Sequence, residues 1–385
     1  MPLEGGACRE EQVLPLLREH GRSPTSFLSL HPEKSIFKTA RGCLAYRATR
    51  FGDVVLGEPI AGPSDARTLL REFVARSRRQ TVAVAITRAG VPVYEDAGFQ
   101  TTECGSEAVT ELAGFNADDP RHRNARRSAR HASRAGVFVE AIAPGSRDVL
   151  RLAPDFAGIT EDWLRSRKTG YLGFIVGDPF LPGFQECWYF LARTAERIEA
   201  FAMFYPVYPE RAVYMDLTRR RTDSPNGTMD LLLTQAFRAL AESGVRRAYL
   251  GMVPCVLSGE VPATFETTMM QVAFQRLNGL YPMRSEHFFK DKLATRWEPR
   301  FAAFHPHRGL RGMLAVYEAL WPDGVAGILR HKLRSPRAGH ENPPVPSSIA
   351  ERRPATLWGS RNERAASKAW PAINASVPRS MEDTK

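Results

Sequence analysis

The sequence contains few cysteines, and none is placed as the partner of another. Five occur in 385 residues, scattered singly and without a Cys-x-x-Cys pair. An odd, dispersed set is unlike the disulfide framework of a small secreted protein, and it predicts reduced thiols in a cytosolic protein. His305 and His307 flank Pro306 and are predicted to be surface histidines, so we expect no metal site.

Long apolar runs are also missing. No stretch reaches the roughly 18 uncharged apolar residues that a membrane-spanning helix needs. The first residues, MPLEGGACREEQ, lack the basic and then apolar regions of a signal peptide. We therefore expect a soluble, cytoplasmic protein, or one that lies peripherally on the inner face of the plasma membrane.

Several common catalytic motifs are absent. The sequence has no Gly-x-Ser-x-Gly elbow, no Walker phosphate loop and no His-Glu-x-x-His zinc motif. Hydrolases, nucleotide triphosphatases and metallopeptidases that depend on these motifs are excluded, and no resident cofactor is expected.

Positive charge is what the sequence has in excess. The 53 Lys and Arg residues outnumber the 42 Asp and Glu residues, which gives a formal net charge of +11. A polyanion or an anionic surface is therefore a plausible partner.

Two stretches of the chain follow one plan, in which strands lead into a glycine-bearing loop, a helix and a further strand. The last strand of the first stretch begins at residue 81 and that of the second at residue 246. This recurrence predicts a duplicated α/β lobe. The predicted strands are 43–49, 53–59 and 81–87 in the first stretch, and 187–193, 199–206, 211–218 and 246–253 in the second.

The loop RRRTDSPNG, residues 219–227, precedes the predicted helix of the second stretch. Free N–H groups and the helix dipole favour an anion at such a position, and a glycine permits close backbone approach. The alternative is a well-capped surface loop with solvated arginines. The candidate binding residues are Arg219, Arg220, Asn226, Gly227 and Thr228, of which Asn226 or Thr228 is expected to cap the helix.

A stripe of arginines marks the segment between the two stretches, RHRNARRSARHASRAG. In a helix these side chains share one face and repel one another, and no acid in the segment offsets them. A nucleic-acid backbone would use them as phosphate contacts, whereas acids elsewhere in the fold would make them internal ion pairs. The stripe consists of Arg123, Arg126, Arg127, Arg130 and Arg134.

A third basic segment, HFFKDKLATRWEPRFAAFHP, covers residues 287–306. If it is extended, Lys290 and Lys292 point the same way and Trp297 and Phe301 pack below them.

Together these pieces resemble the C-terminal synthase domain of the phosphatidylglycerol lysyltransferase (multiple peptide resistance factor) family. The resemblance covers roughly residues 25–308 and depends on the order and spacing of seven motifs. These are LGEPIAG (56–62), CGSEAVTELAGF (104–115), RHRNARRSARHASRAG (121–136), YLGFIVGDP (171–179), MDLTRRRTDSPNGTMDLL (215–232), YLGMVPC (249–255) and FFKDKLATRWEPRF (288–301).

The resemblance implies an α/β fold of two tandem GNAT-like acyltransferase lobes, each a central mixed sheet flanked by helices. It also divides the chain. The implied parts are an N-terminal segment (1–24), a first lobe (25–120), a basic connecting helix (121–135), a second, catalytic lobe (136–308), a C-terminal helical segment (309–334) and a disordered tail (335–385).

The resemblance further implies transfer of an amino acid from aminoacyl-tRNA, as co-substrate, to an acceptor. The acceptor is an anionic phospholipid, most simply phosphatidylglycerol, or a small molecule. Asp216 would orient or deprotonate the acceptor and Arg219 would bind phosphate. Lys290 and Lys292 would hold the oxyanion or the 3′ end of the tRNA, to which the arginine stripe would also bind.

Two other functions remain open from the sequence. One is a CoA-dependent N-acyltransferase acting on a small molecule, although the loop 219–227 has one glycine where CoA loops usually have two. The other is a non-catalytic RNA-binding relative. The segment 312–334 permits peripheral membrane contact, or else it simply packs on the second lobe.

Overall fold

Strands from both predicted lobes join in one mixed sheet. The computed structural model describes residues 6–166, 174–258 and 283–320. The strands are β1 (Ser35–Thr39), β2 (Gly42–Ala48), β3 (Asp53–Leu56), β4 (Ile60–Ala61), β5 (Thr81–Ile86), β6 (Gln100–Glu111), β7 (Phe138–Ile142), β8 (Trp188–Arg193), β9 (Ile198–Val207), β10 (Ala212–Arg220), β11 (Arg247–Pro254) and β12 (Arg296–His305). Among the described residues the α-helices are α1 (Gly6–His20), α2 (Ala66–Ser77), α3 (Val91–Asp96), α4 (Arg123–Arg134), α5 (Ala153–Arg165), α6 (Thr228–Glu242), α7 (Met283–Asp291) and α8 (Leu310–Leu320).

The strand pairing confirms the predicted duplication. The sheet runs β1-β2-β3-β5-β12-β6-β11-β10-β9-β8-β7, with β4 beside β2. Strand β3 crosses over through α2 to pair in parallel with β5, and β10 crosses through α6 to pair in parallel with β11. The other pairings are antiparallel. The chain therefore has the predicted α/β fold of two tandem GNAT-like halves, β1–β6 and β7–β12.

The two halves exchange their last strands. Strand β12 ends the second half, yet it pairs with β5 and β6 of the first half. Strand β6 ends the first half and pairs with β11 of the second. The predicted lobe boundaries stay predictions, but β12, which lies in the predicted second lobe, is placed inside the sheet of the first half.

Each half bends its crossover strand at the same position. The fifth residue of β5 is Ala85, with φ 61°, and the fifth residue of β11 is Gly251, with φ 86°. A positive φ at equivalent positions turns both strands away from their parallel neighbours. In the second half the parallel register holds over three pairs, the last of which is Tyr214 with Tyr249. Beyond that pair β10 and β11 diverge.

Helix α6 covers the sheet of the second half. Its apolar positions are fully buried, including Leu232, Leu233 and Phe237. The helix ends at Glu242, with Gly244 just past it at φ 80° and the Val245 N–H donating to the Leu240 carbonyl.

Helix α4 packs on α6 through three small residues and presents its arginine-rich face outward. Ala125, Ala129 and Ala132 are buried in the same core as α6. At the start of α6, Gly227 has φ 87°, and a Cβ there would lie 1.9 Å from the Ser128 carbonyl oxygen of α4. The glycine therefore permits close approach of α4, where the sequence suggested approach of a ligand.

Two predicted segments need correction. Lys290 does not lie on an extended segment, because α7 occupies Met283–Asp291 and the strand starts only at Arg296. The expectation that α8 packs on the second lobe is incomplete, because α8 packs against β5 and β3 of the first half as well as against Phe304 of β12. Residues 321–334 and the predicted disordered tail 335–385 lie outside the described residues. Within the described ranges no helix has the length and apolar character to cross a membrane.

We expect Gly227→Ala to destabilise the fold by roughly 2–4 kcal/mol, because the methyl group meets the Ser128 carbonyl and the left-handed backbone disfavours alanine. Gly244→Ala is the matched control. It has φ 80° but no atom within 4 Å of the new Cβ, so it should cost only about 1 kcal/mol. Urea unfolding of both variants measures the difference, and equal losses would contradict the packing role of Gly227.

Candidate active site

A cleft of about 350 Å³ opens where β10 and β11 diverge. Irregular pairing on both sides keeps it open. The register of β10 against β9 shifts between Met215 and Leu217, and that of β11 against β6 shifts between Tyr249 and Met252. The charged side chains that line the cleft come from four elements, β6, β10, α7 and β12, and are Asp216, Arg219, Arg220, Glu107, Glu286, Lys290 and Arg300.

Asp216 is one of three carboxylates that line this cleft, with Glu107 and Glu286. Its Oδ2 accepts hydrogen bonds from the Tyr205 hydroxyl at 2.9 Å and from the Gly177 N–H at 2.8 Å. Burial raises the pKa of Asp216 to about 6, although both hydrogen bonds and the charges of Arg219 and Lys34 act in the opposite direction. A carboxylate with this pKa accepts a proton readily near neutral pH and releases it again.

Arg219 lies inside the protein rather than in the loop. Strand β10 continues to Arg220, so Arg219 is 2% exposed and donates to the Thr160 hydroxyl at 2.7 Å. Its guanidinium also lies 5.5 Å from the Trp163 ring centre. The charge of Arg219 lowers the pKa of Asp216, three residues away on the same strand.

The two predicted catalytic lysines are separated. Lys290 Nζ lies in the cleft, where it donates to the Gly251 carbonyl at 3.0 Å and to Glu286 Oε1 at 2.6 Å. Lys292 follows the end of α7, does not line the cleft, and lies 3.6 Å from Asp230 Oδ1. The structure therefore brings Asp216 and Lys290 together and leaves Lys292 outside.

A buried ion pair forms the back of the cleft. Glu107 of β6 and Arg300 of β12 are each 2% exposed, and Arg300 Nε donates to Glu107 Oε2 at 2.7 Å. Burial raises the pKa of Glu107, while Arg300 opposes the shift. Because these two strands are exchanged between the halves, the pair joins them directly behind the site.

The loop before α6 is less open than predicted. Gly227 is the N-cap and supplies no side-chain cap, while the Thr228 hydroxyl donates to the Pro225 carbonyl at 2.6 Å. The expectation that Asn226 or Thr228 caps the helix is wrong. Asn226 is exposed, and Arg220 bonds to Ser224 Oγ at 3.2 Å at the edge of the cleft.

The arginine stripe lies on α4 as predicted. A surface groove of about 320 Å³ runs between Arg123, Arg126, Arg127 and Arg130. Arg126 contacts the Ala117 carbonyl at 2.8 Å and Asp118 at 3.8 Å. In the described residues the other members of the stripe, Arg123, Arg127, Arg130 and Arg134, are exposed and form no ion pair. Internal neutralisation therefore accounts for Arg126 alone.

A family model described as phosphatidylglycerol lysyltransferase, C-terminal, matches residues 14–304, more than half of the chain. The chain belongs to this family. The match confirms the resemblance drawn from the sequence motifs.

Relatives in the family are longer proteins. The phosphatidylglycerol lysyltransferase of Bacillus subtilis (strain 168) is 26% identical over 314 residues, which cover 80% of this chain and 36% of that protein. The protein of the same name from Staphylococcus xylosus is 24% identical, covering 67% and 31%. The lysylphosphatidylglycerol biosynthesis bifunctional protein LysX of Gordonia bronchialis is 22% identical, covering 70% and 24%. The chain thus spans a third or less of most of these relatives.

Solved structures support the fold. The C-terminal DUF2156 domain from Agrobacterium fabrum superposes with a TM-score of 0.67 at 21% identity, covering 82% of this chain and 96% of that one. The structure of L-PGS from Bacillus licheniformis gives 0.67 at 22% identity, covering 84% and 95%.

Sequence reasoning missed five residues at or beside the site of this family member, namely Tyr205, Glu107, Arg300, Lys34 and Gly177. Tyr205 lies in an entirely buried strand, so no alternation marked it. Glu107 and Arg300 meet only because β6 and β12 are neighbours. Lys34 precedes β1 and belongs to no motif. Motif membership was the available signal: Gly177 lies in YLGFIVGDP, Glu107 in CGSEAVTELAGF and Arg300 in FFKDKLATRWEPRF. No group of three or more His, Cys, Asp or Glu side chains is placed to hold a metal ion in the described ranges.

Asp216 should make stability depend on pH. Its pKa is about 6 in the folded state, above its ordinary value of 3.8, so the folded state binds the proton more tightly. Its stabilising contribution is therefore complete below pH 3.8 and is lost as the pH rises through 6. Asp216→Asn removes this term.

As the pH rises from 4 to 7, we expect the unfolding free energy of Asp216→Asn to increase by about 1–3 kcal/mol relative to that of wild type. Above pH 7 the difference between the two proteins should stay constant. Urea unfolding at a series of pH values measures the gap. A gap that is constant over this interval would show that burial does not raise the pKa of Asp216.

Proposed function

We propose that this protein transfers an amino acid from aminoacyl-tRNA to a hydroxyl of a phosphatidylglycerol head group. The observation that carries the proposal is the Asp216 carboxylate, held by Tyr205 and Gly177 in an open cleft with Lys290 nearby. The longer relatives named phosphatidylglycerol lysyltransferase support the acceptor, and this chain matches their C-terminal part.

The reaction needs a base that takes the proton of the acceptor hydroxyl, and it needs the carbonyl carbon of the aminoacyl ester in line with the hydroxyl oxygen. The acceptor hydroxyl attacks the carbonyl carbon of the aminoacyl ester, forming a new C–O bond, while Asp216 takes the hydroxyl proton. The tetrahedral intermediate then expels the ribose oxygen of the tRNA, and the C–O bond to that ribose breaks. The proton held by Asp216 passes to the leaving oxygen, so the carboxylate is regenerated and no other reactant is consumed.

The opposite wall of the cleft supports the oxyanion. The register shift in β11 leaves Leu250 and Gly251 outside the pairing with β6, beyond the last pair with β10. Backbone N–H groups released in this way can donate to a developing negative charge. Lys290 adds a positive charge beside Gly251 and is balanced by Glu286, so it fixes the strand and favours the oxyanion without leaving an isolated charge.

The basic surfaces suit the two substrates. Arg220 at the cleft edge is placed for the phosphate of a phosphatidylglycerol head group. The exposed members of the stripe on α4 are placed for the phosphates of the tRNA. Both partners are polyanionic or anionic, which accounts for the excess of positive charge.

The packing at the start of α6 counts against a CoA-dependent reaction. A CoA pyrophosphate would need the N–H groups at this helix start, but the carbonyl of Ser128 in α4 lies directly against Gly227 there. A non-catalytic RNA-binding relative would have no use for a buried carboxylate of raised pKa. The geometry therefore favours aminoacyl transfer over both alternatives.

We expect Asp216→Asn and Lys290→Ala each to lower transfer by roughly 10²-fold or more, through the loss of the base and of oxyanion support. Wild-type transfer should also fall as the pH drops below about 6. The assay incubates charged tRNA with vesicles containing phosphatidylglycerol and follows labelled amino acid into the lipid extract. Asp223→Asn, an exposed aspartate that pairs with Arg197, is the matched control. Wild-type turnover in Asp216→Asn would refute the assignment.

We expect the double variant Arg127→Ala and Arg130→Ala to weaken tRNA binding and to flatten its salt dependence by about one unit of slope per lost phosphate contact. Arg147→Ala, outside the stripe, is a control on general charge. Binding titrations at several salt concentrations measure the slope. An unchanged slope would place the tRNA elsewhere, with transfer still testable by the lipid assay.

A further inference from the structure

Lys34 is a buried lysine whose ammonium group has no hydrogen-bond partner in the described part of the chain. The residue is 1% exposed. An isolated buried charge is strongly destabilising, and native proteins nearly always pair such groups. An unpaired ammonium at this depth therefore requires an explanation.

The position of Lys34 is fixed by its backbone. The N–H of Lys34 donates to the His31 carbonyl at 3.1 Å, and its carbonyl accepts from the buried Arg9 guanidinium at 2.6 Å. The lysine is thus held rigidly just ahead of β1, and only its side chain is left without a polar contact.

The side chain lies behind the segment that holds the active-site carboxylate. Lys34 Nζ is 5.6 Å from the ring centre of Phe174, which is fully buried. Three residues further along the chain, the Gly177 N–H donates to Asp216. On the other side, Phe27 precedes Lys34 and stacks on Tyr205 at 5.1 Å, and Tyr205 is the second donor to Asp216. Both hydrogen-bond donors of Asp216 are therefore supported from the region around Lys34.

The Lys34 ammonium and the Asp216 carboxylate are surrounded by different sets of charges. Lys34 faces Arg47 on β2 and Arg9 on α1, which disfavour its protonated form, and Asp216 and Glu33, which favour it. Together with burial, these lower the pKa of Lys34 to about 7. Asp216 faces the charges of Arg219 on its own strand and of Lys34, both of which lower its pKa, and the Cys187 thiol also lies near it.

We propose that Lys34 is a positioning residue for the transfer reaction: its unpaired buried ammonium, fixed behind the Phe174–Gly177 segment, holds the Asp216 carboxylate in its charged, proton-accepting form. The inference rests on the proposed function of Asp216 as base. Lys34 does not touch the substrate and acts through Asp216. It destabilises the fold in return, because no hydrogen bond compensates its burial.

Two readouts separate this role from a structural one. The first is the titration of the Asp216 carboxyl carbon, followed by NMR in protein labelled at aspartate and assigned with Asp216→Asn. The second is thermal stability. If Lys34 were only structural, its removal would lower the stability of the protein and leave the Asp216 titration unchanged. The positioning role predicts that its removal raises the stability and shifts the titration.

We expect Lys34→Met to move the Asp216 titration upward by about one pH unit, and with it the acidic limb of the transfer rate. The melting temperature should rise by about 2 °C or more at pH 6. That gain should shrink as the pH rises from 7 to 10.5. The folded state lowers the pKa of Lys34 from 10.5 to about 7, so Lys34 destabilises wild type fully below pH 7 and no longer does so above pH 10.5.

Two further variants calibrate the result. Lys34→Arg keeps the charge and should return the titration toward the wild-type position. Lys38→Met removes an exposed lysine from β1, four residues away, and should move neither the titration nor the melting temperature.

An Asp216 titration in Lys34→Met that coincides with wild type overturns the inference, and so does a fall in melting temperature without a change in titration. The NMR readout needs no turnover. If wild type transfers no amino acid, the proposed function fails, while the titration still decides the role of Lys34. If transfer occurs and the pH dependence of its rate is the same in Lys34→Met as in wild type, the proposed function stands and this inference fails.

Discussion

The active cleft exists because the parallel pairing of β10 with β11 stops after three residue pairs. A longer ladder would fill the space between the strands with backbone hydrogen bonds. Instead the strands separate, and Asp216 on one wall faces Gly251 and Lys290 on the other. The positive φ of Gly251 is the local cause, since it bends β11 at the point where the ladder ends.

The cleft contains charged side chains whose burial is unfavourable for folding. Lys290, Glu107 and Arg300 are buried and form ion pairs, whereas the half-buried Asp216 accepts hydrogen bonds from two uncharged donors. Buried charges of this kind contribute little net stability, even when they are paired. They set proton affinities instead, which is what the proposed transfer to a weakly acidic hydroxyl requires.

Local patterns in the sequence predicted the elements well, and long-range pairing limited the rest. The strands and α6 follow from periodicity, and Asp216 was found through the resemblance to the family. Arg219 was placed in a loop because nothing local shows that β10 continues for two further residues. Lys290 and Lys292 were grouped because they lie two apart, which matches one face of a strand, whereas a helix carries such residues to different sides. Glu107 and Arg300 are almost 200 residues apart, and only the strand order joins them.

The exchange of β6 and β12 also governs how the chain reaches this structure. Strand β12 completes the sheet of the first half only after the whole second half has been synthesised, so its contacts with β5 close a very long loop. Contacts of such high sequence separation form late and slow folding. Until β12 is in place, one edge of β5 is unpaired. When β6 pairs with β11, the other edge of β6 also lies next to the position that β12 will occupy. The strand exchange therefore ties the two halves together, because the sheet of each half is completed by a strand of the other.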